Sequence, residues 1–123
     1  IYEGWAVVDN QPLTTGKFAR GNASDLFSGF SDAKSNTPQF PGEDFLLDPP
    51  VELFTELTFP VDLAGQQVKI TIEPINAGID PTGEGPFPVE LFSSSIPRLA
   101  QAGVIYDLDL TIDDFPKATV VLR

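Results

Sequence analysis

The chain has no cysteine, no histidine and no methionine. Without cysteine there is no disulfide framework and no thiolate nucleophile. Without histidine there is no Ser-His-Asp triad, and without either the usual zinc sites have no ligands. No apolar run approaches the roughly 20 residues that a membrane-spanning helix needs. Cations are scarce: seven Lys and Arg face 18 Asp and Glu, for a formal net charge of −11. Such a surface repels phosphates, which argues against nucleic acid and anionic lipid as partners. It suits solubility, high salt or divalent cations.

What is present is a chain of globular composition, 41% hydrophobic over 123 residues, read as one domain spanning residues 1–123. No signal peptide is visible. Ile1 reads as the start of a processed or trimmed chain, compatible with a leader or anchor ahead of it.

The pattern is β throughout. "IYEGWAVV" reads as a strand carrying Tyr2, Trp5 and Val7. Asp9-Asn10 and Pro12 are turn chemistry, and Gly16 is free to take a positive φ. Residues 20–50 mix Ser, Asn, Gly and Pro with Phe27, Phe30, Phe40 and Phe45. They read as a long ordered loop pinned by its aromatics, with a short strand near Phe27. The loop is either a binding edge or satellite core packing. "PVELFTELTFPVDL" resumes alternation, with Pro60 marking an edge or an end. In "VKITIEP", Val68, Ile70 and Ile72 point inward, and Lys69, Thr71 and Glu73 outward.

Ser95, Pro97 and Gly103 mark the start, first turn and end of a helix of about two turns. "VIYDLDLTID" alternates cleanly, with Tyr106, Leu108, Leu110 and Ile112 on one side, and "ATVVLR" reads as a last strand. The expected core includes Trp5, Val7, Leu53, Leu57, Ile70, Ile72, Leu108 and Leu110. Six to eight short strands with turns between them predict an all-β fold, an antiparallel, Greek-key-like β-sandwich with one short helix.

Two stretches, "YEGWAVVDNQPLTTGKF" and "VKITIEPINAGIDPTGEGPFPV", resemble the hallmarks of the anti-sigma-K factor (RskA-like) C-terminal domain and related bacterial lipoprotein-like domains. The first carries Trp5, Pro12, Gly16 and Phe18. The second carries Thr71, Ile72, Glu73, Pro74, Gly78, Pro81, Thr82 and Gly83. Together they cover about a third of the chain, in the family's order. The family's sigma-binding region and membrane helix have no counterpart here. A long insertion separates the hallmarks, and a further helix and hairpin follow them. The resemblance implies an extracytoplasmic β-sandwich, periplasmic or at the cell surface, that binds or assembles.

The residues after Glu73 are the sharpest feature. Pro74 ends a strand because it has no amide hydrogen for the ladder. Further prolines at 81, 86 and 88 stiffen an acidic loop and lower its ordering cost. Glu73, Pro74, Asp80, Pro81, Thr82, Gly83 and Glu84 form a candidate interaction loop; a stiff crossover between sheets is the plainer reading.

Carboxylates are the available acid–base groups. Asp107 and Asp109 stand about 7 Å apart along a strand, within the range of glycosidase pairs, though alternating Asp on a solvated strand face is ordinary. Asp107, Asp109 and Asp113 are the candidate ligands for calcium, the one cofactor this composition suits. Asn22 opens an Asn-Ala-Ser glycosylation pattern.

The leading expectation is a non-enzymatic, extracytoplasmic protein-binding or surface module of bacterial type. The alternative is a self-assembling surface or filament subunit, in which Ile1, Tyr2, Trp5 and Val7 lie on a strand that completes the sheet of another copy. A carboxylate-based glycan-active enzyme is the third class.

Overall fold

The computed structural model describes residues 1–26, 39–43, 45, 46, 57–75, 85–111, 115 and 117–121. Among them the fold is all-β. Strands β1 (Tyr2–Val8), β2 (Gln11–Phe18), β3 (Gln67–Ile72), β4 (Glu90–Ser95) and β5 (Asp109–Leu110) form one sheet in the order β2-β1-β3-β4-β5. Every neighbouring pair is antiparallel.

The β1–β2 hairpin follows from its turn. Asp9 and Asn10 both adopt positive φ, 51° and 67°, so Val8 faces Gln11 across a two-residue connection. Two left-handed residues give a turn whose twist matches that of the strands, and Asp and Asn tolerate that conformation better than most residues do. Further along, Gly4 faces Gly16 while Trp5 faces Thr14, leaving Thr15 as an extra residue in β2. Gly16 takes φ 112° at this bulge. A Cβ there would also stand 2.5 Å from Asp25 Oδ2, so the site demands glycine on two counts.

Strand alternation gives the sheet two different faces. Tyr2, Gly4, Ala6 and Val8 share one face of β1 and lie opposite Ile72, Ile70 and Val68 of β3. On this side the buried Ala6, Val8, Leu13 and Phe45 form the core, against which Leu46, Leu57, Phe59, Val61 and Leu63 pack. The Phe45 and Phe59 rings meet edge to face, with centroids 5.6 Å apart. The other face carries Glu3 and Trp5 of β1 beside Thr71 and Lys69 of β3.

That second face corrects the expected core. Trp5 is buried, but so are Thr71 and Glu73, which the alternation places outward. Ile70 and Ile72 are only half-buried, as are Val7, Leu57 and Leu108, and Leu110 is 51% exposed. Leu53 lies outside the described residues, as do Ile112 and the strand expected near Phe27. The expected core also joins Trp5 and Val7 to Ile70 and Ile72, whereas the register sets Trp5 against Lys69 and Val7 against Gln67, on the opposite face. Alternation within one strand says nothing about what covers each face.

The expected helix from Ser95 to Gly103 is absent. Ser95 belongs to β4, paired with Gln67, and the Ile96 N–H donates to the Gln66 carbonyl at 2.8 Å. The sheet thus uses the residue that would have capped a helix. Two turns follow, closed by Ala100 N–H to Pro97 C=O at 2.9 Å and Val104 N–H to Gln101 C=O at 3.3 Å. Leu99 is 91% exposed, so a helix here would have no buried apolar stripe to stabilise it. The segment from Val104 enters the sheet only at Asp109–Leu110, and residues 118–121 form no strand. No helix among the described residues is long and apolar enough to cross a membrane.

Candidate functional site

The described site sits where β3 ends and the proline-rich loop begins. The Ile72 N–H donates to the Val89 carbonyl at 2.8 Å, and the Glu73 N–H donates to the Ile1 carbonyl at 2.9 Å. Pro74 offers no amide hydrogen, so the ladder stops there. The Glu73 side chain then spans the root of the loop. Its Oε1 accepts the Phe87 N–H at 3.1 Å and the Thr71 hydroxyl. Thr71 Oγ1 accepts the Trp5 indole N–H at 2.9 Å.

The hydroxyl has a single hydrogen. Accepting from Trp5 and giving that hydrogen to Glu73 fixes its rotor. The outcome is a directed chain: indole to hydroxyl to carboxylate, with the loop's returning amide as a second donor. Trp5, Thr71 and Glu73 are 1%, 0% and 4% exposed. A carboxylate so deeply buried needs such donors, because an uncompensated one would cost several kcal/mol.

A second acid lies on the same face. Glu3 faces Lys17 of β2 and Thr71 of β3, and it is also buried. Its Oε1 accepts the Thr14 hydroxyl at 2.6 Å, and its Oε2 lies 3.6 Å from Lys17 Nζ. Thr14 Oγ1 in turn accepts the Gly16 N–H at 3.2 Å, which ties the bulge into the network. Lys69 and Glu90 pair at 2.8 Å toward β4. Glu3 and Glu73 therefore serve as acceptors for internal donors, away from solvent.

The opposite face of the same strand ends is apolar and open. Ile1, Tyr2, Ala19, Leu26, Ile72 and Ile75 line a cleft of about 320 Å³. The Tyr2 and Phe18 rings meet beside it in a tilted pair, with centroids 5.6 Å apart. The Leu26 N–H, donating to the Lys17 carbonyl at 2.8 Å, holds the loop after β2 alongside.

The candidate residues fall as follows. Glu73 is buried and Pro74 half-buried at the loop root, whereas Asp80, Pro81, Thr82, Gly83 and Glu84 lie outside the described residues. Asp107 and Asp109 are exposed. The Asp109 N–H donates to Ser94 Oγ at 2.8 Å, and Ser94 Oγ donates to Asp109 Oδ2 at 3.2 Å. Asp113 lies outside the described residues, among which no group of three or more acidic side chains is placed to hold a metal ion. Asn22 is exposed in a turn after β2. Tyr2, Trp5 and Val7 belong to β1, which is laddered on both sides within its own chain; Ile1 precedes it and holds Glu73 through its carbonyl.

The sequence reading missed Glu3, Thr14 and the inward role of Thr71. The signal was present: Glu3 is two residues from Trp5 and must share its face. A buried indole N–H also needs an acceptor on a neighbouring strand. No known protein family, curated protein or solved structure matches the chain.

Proposed function

We propose that this chain is a non-enzymatic, extracytoplasmic protein-binding module of bacterial type, which presents the loop after β3 from a rigid sheet. The observation that carries this reading is the double use of Glu73 Oε1, which receives Thr71 from the strand and Phe87 from the returning loop. Rigid frameworks that hold loops at fixed roots are the usual way a β fold displays a recognition surface. The apolar cleft beside the loop root adds a seat for a partner's side chain. The two buried carboxylates favour a binding role over acid–base chemistry, since each is engaged by internal donors and shielded from any substrate.

The finer architecture is a proposal as well. The core on one face of the sheet, built by Phe45, Leu46 and residues 57–63, supports a two-layered, sandwich-like arrangement. The resemblance of both hallmark stretches to the RskA-like C-terminal domain supports the extracytoplasmic setting. It extends to that domain alone, not to sigma-factor binding.

The test compares the whole chain with a variant whose residues 76–84 are replaced by Gly and Ser, each immobilised against an envelope extract of the producing cell. A protein retained by the whole chain and lost by the variant supports the reading. Identical retention by both, or turnover of glycan substrates by the purified chain, contradicts it.

A further inference from the structure

Among the described residues, the apolar face of the sheet runs out at β5 without a cover. Gly4, Ile70, Phe92 and Leu110 are successive cross-strand partners, one row running from β1 to β5. Ile70 and Phe92 are half-buried, but Leu110 is 51% exposed, and the preceding Val104, Ile105 and Tyr106 are exposed too. The backbone is equally open. The Thr111 N–H donates to the Leu91 carbonyl at 3.0 Å, which makes Leu91 and Thr111 a hydrogen-bonded pair. Successive residues of an antiparallel strand point their N–H and C=O to opposite sides, so those of Leu110 face the outer side of β5. No strand lies beyond β5 among the described residues.

The two edges of the sheet differ. β2 carries Pro12, a bulge at Thr15, and Asp25 against Gly16, all of which discourage further pairing. β5 has none of these. Its guards are Asp107 and Asp109, both exposed, with no Lys or Arg between Leu99 and Thr111.

We infer that the outer edge of β5 receives an extended, basic segment of a partner protein, in which apolar residues alternate with Lys or Arg. This deepens the binding-module reading and rests on it. The segment's backbone pairs with the Leu110 N–H and C=O, its apolar side chains continue the row beyond Leu110, and its cations face Asp107 and Asp109. Charge selects this occupant over a second copy. Two β5 segments paired antiparallel about Leu108 would set Asp107 against Asp109 twice, and like charges directly opposite one another destabilise a sheet. The net charge of −11 opposes the same approach.

The experiment measures fluorescence anisotropy of a labelled peptide of about eight residues, a common strand length, alternating Val and Lys, on the full chain. Binding is expected, weakening as salt rises. Leu110→Pro removes the outward N–H and leaves the bonds of Thr111 and Asp109 to β4, so it should weaken binding at least about tenfold. Asp107→Lys should weaken it as well. The same peptide N-methylated at alternate residues should not bind, a check that needs no protein variant. Equal binding of the N-methylated peptide, or of an all-Lys peptide of equal charge, overturns strand pairing. Equal binding by the Leu110→Pro and Asp107→Lys variants overturns the β5 edge. Self-association that disappears in Leu110→Pro replaces the basic partner with a second copy. If these fail while a partner retained through residues 76–84 persists, the binding-module reading stands and the edge assignment falls.

Discussion

The carboxylate of Glu73 and the backbone amide of Phe87 meet at 3.1 Å across 14 residues of sequence, so one side chain joins the two ends of the proline-rich loop. The contact is partly buried, with Glu73 4% and Phe87 37% exposed, and its geometry depends on Thr71 and Trp5 behind it. Glu73→Ala should therefore leave two donors without their acceptor and cost about 1–3 kcal/mol in urea unfolding. Glu73→Gln keeps an acceptor oxygen and should cost less. Equal losses for the two variants would show that charge, not the paired acceptance, carries the stability.

Trp5 is the only tryptophan, which makes the inner half of the network directly readable. Thr71→Val is close in shape but removes the acceptor for the indole N–H, and should destabilise by about 1–3 kcal/mol. Thr71→Ser should restore most of that stability. Indole emission of folded Thr71→Val should differ from that of the parent chain, and an unchanged spectrum would separate Trp5 from Thr71.

At Gly16 a side chain meets both a positive φ and the Asp25 carboxylate. Gly16→Ala should cost more than about 1 kcal/mol. Gly21 has open space around it, and Gly21→Ala should stay within about 0.5 kcal/mol. The pair isolates the bulge from the general effect of removing a glycine.

Burial falls from β1 and β2 toward β5, and stability should follow. Leu13 is 0% exposed and Leu110 51%. Leu13→Ala should cost about 2–5 kcal/mol. Leu110→Ala should lie within about 0.5 kcal/mol in the isolated chain. A large loss at Leu110 would mean that the outer edge is already covered.

Local chemistry was legible in the sequence wherever a few adjacent residues decide it. Asp9-Asn10 is the turn, Gly16 takes its positive φ, and Pro74 follows the end of β3. What depends on distant partners was not legible. Ser95 is a plausible helix cap by composition, yet pairing with Gln67 makes it the end of a strand. β4 itself, "ELFSSS", has no clean alternation to announce it and is held by β3. The burial of Thr71 and Glu73 goes with the indole that donates to Thr71 and the amide of Phe87 that donates to Glu73, neither of which periodicity can see.

Hydrogen exchange at the Phe87 amide tests the central claim, a loop fixed at its root by Glu73. The Phe87 N–H should be protected in the parent chain to a degree comparable with amides in the middle of β1 and β3. In Glu73→Ala that protection should vanish while the β1 amides keep theirs. A Phe87 amide that exchanges in the parent chain as fast as an exposed loop amide would contradict the account.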